Sequence, residues 1–169
     1  NYLKNLSDFF AKKELANSLR IALHGNFMAL DKFVDLGDNK LLFKAQPRGL
    51  TVHWLAGNVP VLGLFSIFCA LITKNACLVK ASSNGYEELV SLLDTLNKVK
   101  TEKINGVDLV KSVAVVLVDK NDKKTHEKLS ISADVRIAWG GFDAINAIIG
   151  LKKKLFCEDI IFGPKYSYA

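Results

Sequence analysis

The sequence predicts an α/β domain: a parallel β-sheet with helices on both faces. Three observations point there. Short apolar runs without polar alternation recur along the chain, VAVVLVD (113–119) being the plainest, and strands covered on both faces have that character. Between these runs lie segments with apolar residues three and four apart, the spacing of amphipathic helices. The runs end in turns of small and polar residues (AGNVP, KASSNG, WGGFD and FGPK), and parallel sheets bind ligands at the carboxyl ends of their strands.

Residues 2–23 place Leu3, Leu6, Phe9, Phe10, Leu15, Leu19 and Leu23 mostly at helical intervals, and Gly25 after His24 supplies a stop. Asp31 to Gly37 reads as a short helix and Leu41 to Lys44 as a strand. Gln46-Pro47-Arg48-Gly49 reads as a turn. Leu50 to Leu55 is a buried strand, β-branched at Thr51 and Val52. Val61 to Thr73 has the length of a buried helix, and Ala76 to Lys80 is a second buried strand. Glu87 to Val99 sets Leu89, Leu92, Leu93 and Leu96 on one helical face. Val113 to Asp119 and Asp134 to Ala138 are strands. A helix over 143–150 follows Gly140-Gly141, and Asp159 to Phe162 is the last strand before Gly163-Pro164.

Trp54 to Thr73 carries no formal charge, so a membrane span has to be considered. Pro60 breaks a helix passing through it, and Val59 before it favours extended backbone. The remaining helix of about 13 residues is roughly 20 Å long, against a hydrocarbon layer of about 30 Å. No membrane span is expected. A helix apolar on all sides belongs inside a packed domain.

The net charge of +6 suits an anionic ligand, but the lysines fall in polar stretches such as KNDKKTHEK (120–128) and LKKK (151–154), which read as solvated loops and helix faces. Nucleic-acid binding would want a basic stripe interleaved with aromatics, and none appears. Cys69, Cys77 and Cys157 lie at apolar positions without metal-ligand spacing. They read as buried, reduced thiols of a cytoplasmic protein, and no metal site is expected. A chain that starts at Asn1 and stops just after an apolar run is expected to be part of a longer protein.

Three blocks then take on meaning together: PRGLTVHWLAGNVP (47–60), AWGG (138–141) and FGPKYS (162–167). With TKNACLVKASS between the first two, they resemble the cofactor-domain signature of the aldehyde dehydrogenase superfamily. The similarity is strongest to its acyl-CoA and acyl-protein thioester reductases (LuxC type). The resemblance implies a Rossmann-like cofactor domain over 47–169, with a helical segment over 1–46 packing on it. It implies a reductase that takes a fatty acyl thioester, on coenzyme A or an acyl carrier, to an aldehyde through a cysteine thioester with NADPH. Alternatives are a short-chain CoA-acylating aldehyde dehydrogenase using NADH and a non-catalytic nucleotide-binding module. Superfamily analogy also suggests a homo-oligomer.

Residue by residue, the resemblance assigns Asn58 as a neutral donor to the oxyanion formed when a thiol attacks a carbonyl. Lys80 and Ser82 match groups that contact the adenosine ribose. Ser83 replaces a glutamate that would repel a 2′-phosphate, so NADPH is expected and NADH permitted. Gly140 and Gly141 fall beside the pyrophosphate, where missing side chains admit the ligand to backbone N–H groups. Trp139 is a cofactor-packing candidate, and Gly163 belongs to the segment holding Lys165. Ile161 takes the place of a general-base glutamate, which suits a thioester reductase better than an aldehyde oxidase. The nucleophilic cysteine is expected beyond residue 169. His24, His53 and His126 need no catalytic role, and His53 reads as a strand histidine satisfied by a backbone partner.

Overall fold

The computed structural model describes residues 11–23, 25–35, 37, 41–57, 60–102 and 104–164. The chain divides into two compact units, 1–47 and 48–169.

In the first unit, helix α1 covers Lys12–Ala22; the earlier part of the helix expected over 2–23 lies outside the described residues. The expected helix from Asp31 to Gly37 does not form. A 3-10 turn runs instead over Phe27–Leu30, started by the Asn26 side chain, which accepts the Met28 N–H at 3.2 Å. Strand β1 (Val34–Asp35) then pairs antiparallel with β2 (Leu42–Phe43). The Asp35 carboxylate accepts the Gly37 N–H at 2.8 Å, and Gly37 takes φ +105°, so local polar bonds favour a turn over a helix here.

The second unit begins with strand β3 (Leu50–Trp54), helix α2 (Pro60–Ile72) and strand β4 (Ala76–Ala81). Helices α3 (Tyr86–Leu96) and α4 (Gly106–Val110) lead to strand β5 (Val113–Leu117). Helix α5 (Lys123–Ser132), strand β6 (Val135–Trp139), helix α6 (Phe142–Ile149) and strand β7 (Glu158–Phe162) complete it. The five strands form one parallel sheet in the order β5-β4-β3-β6-β7. The fold is Rossmann-like. The chain builds outward from β3 through β4 to β5, then crosses back to lay β6 on the other side of β3. That reversal opens a crevice at the carboxyl ends of β3 and β6.

No helix is assigned over α5 from sequence, because its polar stretch KNDKKTHEK reads only as solvated loop or helix face. Its start is set by Asp122, whose carboxylate accepts the Thr125 N–H at 3.0 Å. The helix covers the sheet with few residues, notably Leu129 and Ser130.

Alternation along β3 divides the core. Val52 and Trp54 join Leu129, Ala138, Ile145, Ile148 and Cys157 in one cluster beneath α5 and α6. Thr51 and His53 face α2 instead; Ile67 of α2 and Leu89 of α3, each 1% exposed, contribute about 2 kcal/mol apiece through burial. Helix α2 buries Leu64, Ile67 and Ala70, which turns Cys69 outward. The expectation of three buried thiols is therefore corrected: Cys77 and Cys157 are buried and Cys69 is exposed. No helix among the described residues is long and apolar enough to cross a membrane.

Two polar clamps hold the sheet in register. Gly49 adopts φ +120°, and a Cβ there would run into the Asp134 carboxylate, which accepts the Leu50 N–H at 2.8 Å. Arg136, 1% exposed, gives both edges of its guanidinium to work: Nε and Nη2 bond Asp159 of β7 at 2.6 and 2.7 Å. Its Nη1 donates to Ser130 Oγ and to the carbonyls of Ile148 and Leu151. A buried charge is tolerable only when it is saturated with partners in this way.

Candidate functional site

Parallel pairing puts all five carboxyl ends on one edge. Lys80, Trp54, Ala138 and Ile161 are Cα partners in a single row across the sheet. Beyond the row the connecting loops meet in pairs. A Cβ on Gly57 would lie 3.3 Å from Ser82, so the loops after β3 and β4 are in close approach. The Gly140 N–H donates to the Phe162 carbonyl at 3.3 Å, which joins the loop after β6 to the end of β7.

Over this edge, between α5 and α6, lies a cleft of about 500 Å³. Trp54, Leu55, Trp139 and the α6 residues Ala144, Ala147 and Ile148 give it apolar walls, and Lys80, Lys120, Lys123 and His126 are among its polar lining. No acidic side chain lines it among the described residues. Burial pushes the Lys80 ammonium below its ordinary range, and the charge of nearby Asp119 partly opposes this.

His126 has a defined tautomer. Trp54 donates its indole N–H to Nδ1 at 3.1 Å, so Nδ1 accepts and the proton resides on Nε2, which meets the Asp119 carbonyl at 3.2 Å.

A second polar chain runs on the α2 face. The Thr51 hydroxyl donates to the Ala76 carbonyl at 2.9 Å and so receives the His53 Nε2–H, also at 2.9 Å. His53 Nδ1 accepts from Ser66 Oγ at 2.8 Å, and Ser66 Oγ accepts the Trp139 indole N–H at 3.4 Å. The Trp139 ring stacks on Phe162 with centroids 3.8 Å apart. His53 is thus satisfied by two side chains rather than a backbone group, because its imidazole spans Thr51 and Ser66 inside the core. Burial lowers its pKa to about 4.

The residues singled out from sequence distribute as follows. Asn58, in the loop between β3 and α2, lies outside the described residues, as do His24, Lys165 and Ser167. Lys80 and Trp139 both line the cleft. Ser82 and Ser83 are on the same edge but not in the cleft, and Ser82 Oγ accepts the Gly85 N–H at 3.1 Å where α3 begins. A Cβ on Gly140 would press on Ala144 at 3.2 Å, whereas one on Gly141 or Gly163 would meet nothing within 4 Å. Gly141 has φ −72°, so neither packing nor backbone conformation of this chain requires glycine there. Ile161 packs against the cluster beneath α5 and α6. Sequence reasoning missed Lys120, Lys123 and His126; the Asp122-to-Thr125 capping spacing after a strand was the signal that could have found them.

The whole chain, residues 1–169, matches the family of acyl-CoA reductases (LuxC). The chain belongs to that family. It is 35% identical over 144 residues to the long-chain acyl-protein thioester reductase of Aliivibrio fischeri, covering 85% of this chain and 29% of that protein. Against the reductase of the same description from Photobacterium phosphoreum it is 34% identical over 147 residues, covering 86% and 28%. Against long-chain acyl-protein thioester reductase 2 of Photobacterium leiognathi it is 37% identical over 140 residues, covering 82% and 28%. The chain spans under a third of the length of these curated relatives.

Proposed function

We propose that this LuxC-family chain is the cofactor-binding part of a reductase that converts a fatty acyl thioester to an aldehyde with NADPH. The observation that supports the reading is a lysine-lined cleft over the carboxyl edge of the sheet, with no acidic side chain among the described residues that line it. Gly141, where a Cβ would meet nothing within 4 Å, lies at the start of the same α6 that forms one wall. The apolar walls suit an adenine ring, Lys80 suits the ribose and its phosphate, and the start of α6 at Gly141 offers backbone N–H groups to a pyrophosphate. The residues present fit a dinucleotide. When bound, it supplies the hydride that brings the acyl group to the aldehyde level.

This chain's own part is to bind and orient. Trp139, held by Ser66 and Phe162, fixes one wall beside the rim. Asn58 is assigned the donor to the oxyanion that forms when a thiolate attacks the acyl carbonyl. That thiolate is expected from a cysteine outside this chain, since Cys77 and Cys157 are buried and burial raises their thiol pKa, and partial desolvation raises that of the exposed Cys69 as well. Ile161 offers no base to activate water, which favours delivery of the acyl group to hydride over hydrolysis.

The test is titration of the full-length protein with NADPH and NADH while following tryptophan fluorescence. Trp54 and Trp139 both line the cleft. Saturable quenching, tighter for NADPH and weakened in Lys80→Met, is expected. Indifference to both coenzymes would contradict the proposal.

A further inference from the structure

His53 lies in the central strand of the sheet and is 0% exposed, a place an apolar side chain would fill without the desolvation that a buried imidazole carries. Its two ring nitrogens are occupied by Thr51 and by Ser66 of α2. The bonding continues beyond both partners. Thr51 donates to the Ala76 carbonyl at the start of β4, and the Trp139 indole N–H at the end of β6 donates to Ser66 Oγ. One chain of hydrogen bonds therefore crosses the sheet from its amino end to its carboxyl end.

The ends of that chain set its direction, because a carbonyl only accepts and an indole N–H only donates. Thr51 gives its proton to Ala76 and accepts from His53 Nε2, which leaves Nδ1 to accept the Ser66 hydroxyl. With its proton committed to His53, Ser66 turns oxygen lone pairs toward Trp139. The other tautomer of His53 would set Nδ1–H against Ser66 and swing the hydroxyl proton toward the indole, donor facing donor. A buried network satisfied in this way specifies one arrangement.

Trp139 is where the chain reaches the site. It lines the cleft and immediately precedes Gly140 and Gly141, where α6 begins. Its ring stacks on Phe162, its Cα partner in β7, with planes 10° apart. The Gly140 N–H donates to the Phe162 carbonyl, so the ring pair and the backbone of the rim are tied to the same residue. Stacking fixes the plane of an indole but not its rotation within that plane, and the bond to Ser66 selects the edge that faces α2.

We infer that His53 and Ser66 are positioning residues of the coenzyme site. The Nε2–H tautomer of His53 directs Ser66 Oγ to the Trp139 indole, and this holds the Trp139–Phe162 pair in place beside the glycine rim. Neither His53 nor Ser66 lines the cleft, so both act through Trp139, as partners behind the wall of a site do. This role rests on the reading of the cleft as a coenzyme site.

The experiment uses the full-length protein labelled with fluorotryptophan, the Trp139 resonance in the fluorine NMR spectrum being assigned by its loss in Trp139→Phe. NADPH affinity is measured by calorimetry on the same wild type and on Ser66→Ala, His53→Leu and His53→Gln. Ser66→Ala and His53→Leu should shift or broaden the Trp139 resonance and weaken NADPH binding about threefold to tenfold, the worth of one hydrogen bond. His53→Gln, whose amide can donate to Thr51 and accept from Ser66, should keep both readouts at wild-type values. Equal losses in His53→Gln and His53→Leu would assign the effect to packing and overturn the positioning role. A Trp139 resonance unmoved in Ser66→Ala, or a resonance that moves while NADPH affinity does not, overturns it too. If His53→Leu does not fold, Ser66→Ala decides, since it removes one hydroxyl and leaves His53 in place. A wild type indifferent to NADPH overturns the coenzyme reading itself, and the positioning role with it.

Discussion

Trp54 at the end of β3 and His126 in α5 are joined by a hydrogen bond of 3.1 Å from the indole N–H to Nδ1. This bond fixes α5 over the sheet edge and shapes one wall of the cleft. Replacing His126→Phe keeps a ring and removes the acceptor, leaving the N–H of a tryptophan that is 4% exposed without a partner. The expected cost is about 1–3 kcal/mol in chemical denaturation. An unchanged midpoint would show that the bond contributes nothing.

Two glycines make opposite predictions. Gly49→Ala forces a side chain into φ +120° and against Asp134, and should destabilise by about 3 kcal/mol or prevent folding. Gly141→Asp meets open space at φ −72° and places a good capping residue at the start of α6. It should leave the melting temperature equal or higher, yet weaken NADPH binding at least about tenfold by setting a carboxylate where the pyrophosphate would lie. Unaltered NADPH binding in Gly141→Asp would remove the rim from the site.

His53 should make the protein acid-sensitive in a defined window. Its folded pKa of about 4 lies below the ordinary histidine value near 6.5, so the unfolded chain binds the proton more readily. The stabilisation is complete above about pH 6.5 and is lost as pH falls toward 4, a total of about 3 kcal/mol. His53→Gln, which can still bridge Thr51 and Ser66, should flatten the stability profile across that window. A slope that persists in this variant would assign the effect to another group.

Asp159 should act at lower pH. The Arg136 guanidinium holds its carboxyl below the usual carboxylate range, assisted by Lys153. Its contribution is present above the unfolded value near pH 3.9 and lost as pH falls through the folded one. Asp159→Asn strands the charge of Arg136 and should cost about 3 kcal/mol at neutral pH. Because Arg136 also holds the carbonyls of Ile148 and Leu151, both lining the cleft, the variant should weaken NADPH binding as well.

The sheet was legible because β3 and β4 are short apolar runs, and α3 and α6 show strong helical periodicity. Segment 31–37 misled because its apolar spacing is too short to outweigh side-chain bonds from Asn26 and Asp35, which select turns. Helix α5 escaped because eight of its ten residues, KKTHEK and two serines, are polar, and two buried positions leave little periodic signal. The same blind spot hid Lys120, Lys123 and His126. Lysines in a polar run look alike until topology shows which of them overhang a strand end. Lys80 and Gly141 were singled out through the resemblance of their sequence blocks; the structure sets Lys80 near the end of β4, lining the cleft, and Gly141 at the start of α6.

The most direct test is a crystal structure of the full-length protein with NADPH. The account predicts the adenosine between α5 and α6 against Trp54, with Lys80 at the ribose and the pyrophosphate over Gly141. A dinucleotide bound on any other face, with this cleft holding only solvent, would contradict it.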